Sequence, residues 1–147
     1  MGRSFHWCDN FAVGHPLLDA QHRRLIELIN DIDAAVRAAT NPCRLPALME
    51  LLRVTAREHF RQEDAILWEI KMGTYEPQKG RARTSHLIEA MANAAFDEHI
   101  AEHATLLARF DAIVKASAET LYEALKAWFL DHVIKQDAHL KAIFRAM

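Results

Sequence analysis

The stretch FDEHIAEHATLL, Phe96 to Leu107, sets two histidines four residues apart. On a helix, His99 and His103 lie one turn apart on a single face. Phe96, Leu106 and Phe110 share that face, so both imidazoles point where an apolar core belongs. The same periodicity runs on to Ile113 and predicts a helix from near Ser85 to about Lys115.

Outward from it, apolar residues recur at helical spacing in three more long segments, with no β-type alternation between them. A helix from about Leu17 to Ala39 turns Leu25, Ile26, Ile29, Ile32 and Val36 inward, and Thr40-Asn41-Pro42 marks its end. A helix from about Leu45 to Ile70 carries the stripe Leu48, Leu52, Thr55, His59, Glu63, Ile66 and Ile70, with Gly73 suited to its stop. A last helix follows Ser117, a residue type suited to an N-cap, and runs on towards the C-terminus with Leu121, Leu125, Trp128 and His132 inward. Short connections between such helices imply an all-α, antiparallel up-and-down four-helix bundle. Residues 1–16 form an N-terminal arm, and residues 1–147 form a single domain.

Composition narrows the partners. A formal net charge of −2 gives no case for nucleic acid or an anionic membrane surface. No run approaches the ~20 apolar residues needed to span a bilayer. The N-terminus, MGRSFHWCDNF, lacks the apolar core of a signal peptide, so a cytoplasmic location is expected. Cys8 and Cys43 are too few for a disulfide framework and are expected to be buried, inert thiols.

The inward faces carry His22 on the first helix, His59 and Glu63 on the second, His99 and His103 on the third, and His132 on the fourth. A single inward histidine is ordinarily a satisfied core residue. Glu63 is harder to place so, because a buried carboxylate is costly unless paired, protonated or bound to a metal. Depth supports convergence. His22 lies about 17 residues before its helix end and His59 about 14 after its helix start, so the two are level; His103 and His132 match in the same way, at about 12 and 14. Imidazole and carboxylate without thiolate suit iron, zinc or manganese. Six or more ligands exceed one tetrahedral zinc, which favours a metal pair bridged by carboxylates. Asp137 is a candidate for the second bridge, but it stands five residues past His132, about 140° away around an α-helix. Spacing alone does not bring it in.

The segments LLDAQHRRLIELIN around His22, HFRQED from His59, HIAEH from His99 and WFLDHVIKQD from Trp128 to Asp137 resemble, in order, the four motifs of the hemerythrin family, specifically the single-domain bacteriohemerythrins. Trp7 and Val13-Gly14 are similar to the arm before the first motif. The resemblance implies a non-haem di-iron site, its two irons bridged by oxo or hydroxo, that binds O2 reversibly. It implies that His99, His103 and His132 hold one iron, that His22 and His59 hold the other, and that Glu63 and Asp137 bridge them. Leu25, Trp128 and Phe129 are candidates for an apolar wall around the O2 pocket.

The resemblance leaves residues 71–91 over, an extended connection between the second and third helices. Lys71, Lys79, Arg81 and Arg83 make it basic, and it reads as a solvated extension, a docking surface for an acidic protein partner, or a lid. His86 is about 220° around from His99 and is not expected to be a ligand. His139 shares the face of His132 but lies ~10 Å further along the axis, which suits a supporting role. The expected activity is reversible O2 binding for storage, delivery or buffering rather than catalysis. The alternatives are a sensor of O2, nitric oxide or redox state acting on a partner in trans, and a di-iron oxidase or peroxidase.

Overall fold

The computed structural model describes residues 4–38, 43–76, 85–115 and 117–147. Helices α1 (Pro16–Ala38), α2 (Arg44–Lys71), α3 (His86–Ile113) and α4 (Ala118–Leu130) form the bundle. Helix α1 packs on α2 and α4, and α3 closes the ring by packing on the same two. The expected Thr40-Asn41-Pro42 stop lies outside the described residues, as do Lys79, Arg81 and Arg83. No described helix is long and apolar enough to cross a membrane.

The helix ends follow local chemistry. Pro16 opens α1, where its missing N–H costs nothing. Gly73, at φ +72°, turns the chain after α2 and donates its N–H to the Ile70 carbonyl. Ser85 caps α3 by accepting from the Ile88 N–H at 3.3 Å. Ser117 holds the expected N-cap position of α4, but its hydroxyl faces Thr120 Oγ1 at 3.1 Å instead of a backbone N–H.

The last helix departs from expectation. It does not run on as one α-helix: α4 gives way at Asp131–Gln136 to a π-helical turn, and α5 (Ala138–Ala146) follows. The Asp137 N–H donates to the His132 carbonyl at 3.0 Å, an i→i+5 bond that accommodates one extra residue in the turn.

The arm is folded onto the bundle. A 3-10 turn at Asp9–Phe11 follows an extended segment in which Phe5 and Asn30 exchange two hydrogen bonds of 2.7 Å. Asp19 of α1 accepts from the Val13 N–H at 2.7 Å and so fixes the end of the arm. Both cysteines are exposed, contrary to expectation: Cys8 flanks the 3-10 turn and Cys43 stands at the start of α2, so neither reaches the core.

Two apolar clusters fill the interior. One contains Leu25, Ile29, Leu52, Phe60, Phe110, Leu125, Trp128 and Phe129, and the other contains Leu18, Ile66, Ile70, Ala95, Leu140 and Ile143. Asp33, which pairs with Arg37 at 2.9 Å, lies within the first cluster, but the other buried polar residues stand between the two: His22 between Leu18 and Leu25, His59 and Glu63 between Leu52 and Ile66, His99 and His103 between Ala95 and Leu106. The bundle therefore has a polar layer between two apolar ones.

Candidate metal centre

That layer holds His22, His59, Glu63, His99, His103, His132 and Asp137, each no more than 3% exposed. Three imidazole nitrogens meet near its middle, with His59 Nε2 3.0 Å from His22 Nε2 and 2.9 Å from His132 Nε2. Glu63 reaches across the layer: Oε1 is 2.8 Å from His59 Nε2, and Oε2 is 3.0 Å from His103 Nε2. Asp137 Oδ2 lies 3.0 Å from His22 Nε2 and 3.1 Å from His132 Nε2.

Asp137 is where helical arithmetic falls short and the backbone supplies the answer. In the π turn the fifth residue takes the place that the fourth holds in an α-helix, so Asp137 returns to the face of His132.

The ligand atoms fall into two groups able to hold an ion, His22, His59, Glu63, His132 and Asp137 in one and Glu63, His99, His103 and Asp137 in the other. Glu63 and Asp137 belong to both. The geometry thus puts His132 with His22 and His59, whereas the family pattern puts it with His99 and His103. Ring-centroid distances from His132 of 5.0 Å to His59, 5.5 Å to His22 and 5.6 Å to His103 show that it stands between the two pairs.

The donor set fits a metal pair. His59 Nε2 faces the Nε2 atoms of both His22 and His132, and its single proton or single lone pair cannot fully serve both. Asp137 Oδ1 and both nitrogens of His99 are buried without a hydrogen-bond partner. Groups left so in a native interior call for a further occupant.

Without a metal the layer holds protons. Burial opposes charge on His22, but the hydrogen bonds it donates to Asp137 and Glu63 outweigh it and raise the pKa to about 10. Burial is likewise outweighed at His132 by the charges of Asp137 and Glu63, which raise it to about 9. At His59 burial wins over the pull of Glu63, and the ring falls to about 4.

Outer partners fix three of the imidazoles. His22 Nδ1 pairs with the Phe11 carbonyl at 3.1 Å, His59 Nδ1 with Gln21 Oε1 at 2.7 Å and His103 Nδ1 with Asp64 Oδ1 at 2.8 Å. Each bond directs the Nδ1 proton outward and leaves the Nε2 lone pair for the centre. Sequence reading missed these partners. Gln21 and Asp64 adjoin His22 and Glu63 in the chain, and that adjacency was the available signal. Asp64→Ala is expected to weaken metal binding about 10–100-fold by freeing the His103 ring; competition with a chelator measures it, and wild-type affinity would mean that Asp64 orients nothing.

Leu25, Trp128 and Phe129 are all buried, with Phe129 6.1 Å from the His22 ring. Trp128 stands further out: its Nε1 donates to the Leu106 carbonyl at 2.8 Å, and the ring between it and the site is Phe60. Phe60 was not foreseen, because it lies about 100° from the His59 stripe. It stacks on His103 at 4.4 Å and 12° and meets His132 edge-on at 4.9 Å. Of the remaining histidines, His86 is exposed beside Glu89 and His139 is exposed near His99.

A helical bundle whose facing helices project imidazoles and carboxylates into one buried layer defines the class of non-haem metal-binding bundles. The family described as the hemerythrin HHE cation binding domain matches residues 13–144, and the chain belongs to it. Over 73 residues the chain is 30% identical to myohemerythrin of Sipunculus nudus, a stretch covering 50% of this chain and 55% of that relative. The chain spans about half the length of the curated relative it matches.

Proposed function

We propose that the protein holds two irons and binds O2 reversibly, as a binding protein for storage, delivery or buffering and not as an enzyme. The observation that carries this reading is the sharing of Glu63 and Asp137 by both ligand groups, which suits two ions held side by side. Five imidazoles divided between two positions leave one with fewer protein ligands and therefore open. Bound there, a pair of ferrous ions supplies two electrons and a vacant coordination position, which reversible O2 binding requires.

The residues around the pair do the rest. Glu63 and Asp137 offset its charge in a water-poor interior, and Gln21, Asp64 and the Phe11 carbonyl keep three ligand rings aimed inward. Phe60 and Phe129 line the imidazoles with apolar surface that keeps out water and protons. Five neutral imidazoles against two carboxylates also distinguish the centre from the carboxylate-rich sites of ferritin-like bundles.

The test is to purify the chain anaerobically, count iron, and follow the visible spectrum as O2 is added and withdrawn. A charge-transfer band that comes and goes with O2 supports the proposal; permanent oxidation on first exposure overturns it. Metal binding must also displace protons from His22 and His132, whose metal-free values are about 10 and about 9. Protons compete with the metal below those values, so affinity is expected to climb from pH 6 to pH 8, roughly tenfold per pH unit for each proton released. A pH-independent affinity in chelator competition would contradict that exchange.

A further inference from the structure

His99 differs from the other four imidazoles of the centre, because neither of its nitrogens has a hydrogen-bond partner among the described residues. A ligand histidine is ordinarily held by an outer acceptor; His132 also lacks one at Nδ1, but its Nε2 is held by Asp137 at 3.1 Å, whereas no bond fixes the His99 ring at either nitrogen. Its neighbour on the outer side is His139 of α5, with ring centroids 5.9 Å apart. His139 is exposed and lines a cleft of about 320 Å³ between α3 and α5, together with Glu98, Ala95, Ala142 and Ile143. The extra residue of the π turn sets where α5 begins, and small alanine side chains keep the cleft open. Two larger clefts include no histidine, and each sets cations beside its carboxylates: Lys141 and Arg145 with Asp9 in one, Arg53 and Lys115 with Glu50 and Asp111 in the other.

We infer that the α3/α5 cleft is the port through which ferrous iron reaches the centre, with His139 and Glu98 receiving the ion at the mouth and His99 turning to pass it inward. This rests on the iron reading proposed above. An imidazole and a carboxylate at the mouth are donors for a divalent cation and do nothing for a neutral gas. A carboxylate there also raises the local concentration of cations. The remaining distance is one ring: from His139 the ion next meets His99, and beyond His99 lie Glu63 and Asp137. No redox step is involved, since the ion moves as Fe(II) and exchanges water for protein donors.

The experiment mixes the metal-free full chain with ferrous ammonium sulfate anaerobically and reads two quantities, the rate at which chelator-accessible iron disappears and the final iron per chain. His139→Ala combined with Glu98→Gln is expected to slow uptake roughly tenfold while final iron stays at the wild-type level. Ala142→Phe, which fills the cleft from an exposed position, is expected to slow it too. Wild-type rates in these variants overturn the port. A fall in final iron in proportion to the rate also overturns it, since His139 would then be supporting the loaded site. No uptake by the wild-type chain overturns the iron reading itself, an outcome distinct from fast uptake by the variants.

Discussion

Glu63→Gln is expected to leave a folded bundle that no longer retains a metal pair. Glu63 is fully buried, its two oxygens face different helices, and it is common to both ligand groups. Glutamine preserves the shape but removes the charge and offers one oxygen in place of two. Affinity should fall by more than the ~10–100-fold typical of losing an outer partner. The fold should survive, because glutamine fills the same space and Asp137, the larger cause of the raised pKa at both His22 and His132, remains paired with them at 3.0 and 3.1 Å. Iron content after gel filtration, with far-ultraviolet circular dichroism as the folding control, decides the matter. Wild-type iron in the variant would mean that Glu63 bridges nothing.

The second large effect concerns the π turn and is asymmetric. Deleting Ile134, which is 50% exposed, leaves His132 and Asp137 four residues apart, about 40° around a regular α-helix. The turn can then close as ordinary helix with both ligands on one face, so iron affinity should stay within about tenfold of wild type. Inserting one alanine after Ile134 separates them by six residues, about 240° around, and carries Asp137 away from the layer. Affinity should then drop by more than about a hundredfold, as for any lost bridging ligand. Equal losses in both variants would show that register along the turn does not govern the site.

Residues 71–91 begin and end in helix. Lys71 closes α2 with its ammonium 4.8 Å from the Phe96 ring centroid and 5.4 Å from that of Trp68, so this cation covers aromatic surface. At the far end of the segment, residues 86–91 are the first turns of α3 and lengthen that helix.

The bundle itself was legible because its signal is local. A stripe such as Leu52, His59, Glu63, Ile66 and Ile70 repeats at helical spacing, and counting residues to the helix ends suffices to bring His22 level with His59. Glu63 stood out for the same reason, as a carboxylate on a face otherwise apolar. Phe60 escaped because α2 buries a broader face than one stripe, with Ala56, Phe60 and Leu67 forming a second row beside the first.

By itself, then, the sequence determined the four main helices, the inward direction of five histidines and Glu63, and their common depth, since these depend on backbone geometry over a few residues. The tertiary structure decided the rest. Asp137 reaches the layer only through the π turn, a departure from regular helix that residue spacing does not encode. The bonds that orient His59 and His103 join residues 38 and 39 positions apart, and the stack of Phe60 on His103 likewise crosses from α2 to α3. Such contacts exist only once the helices have packed, because periodicity says which face turns inward and packing says what each inward atom meets.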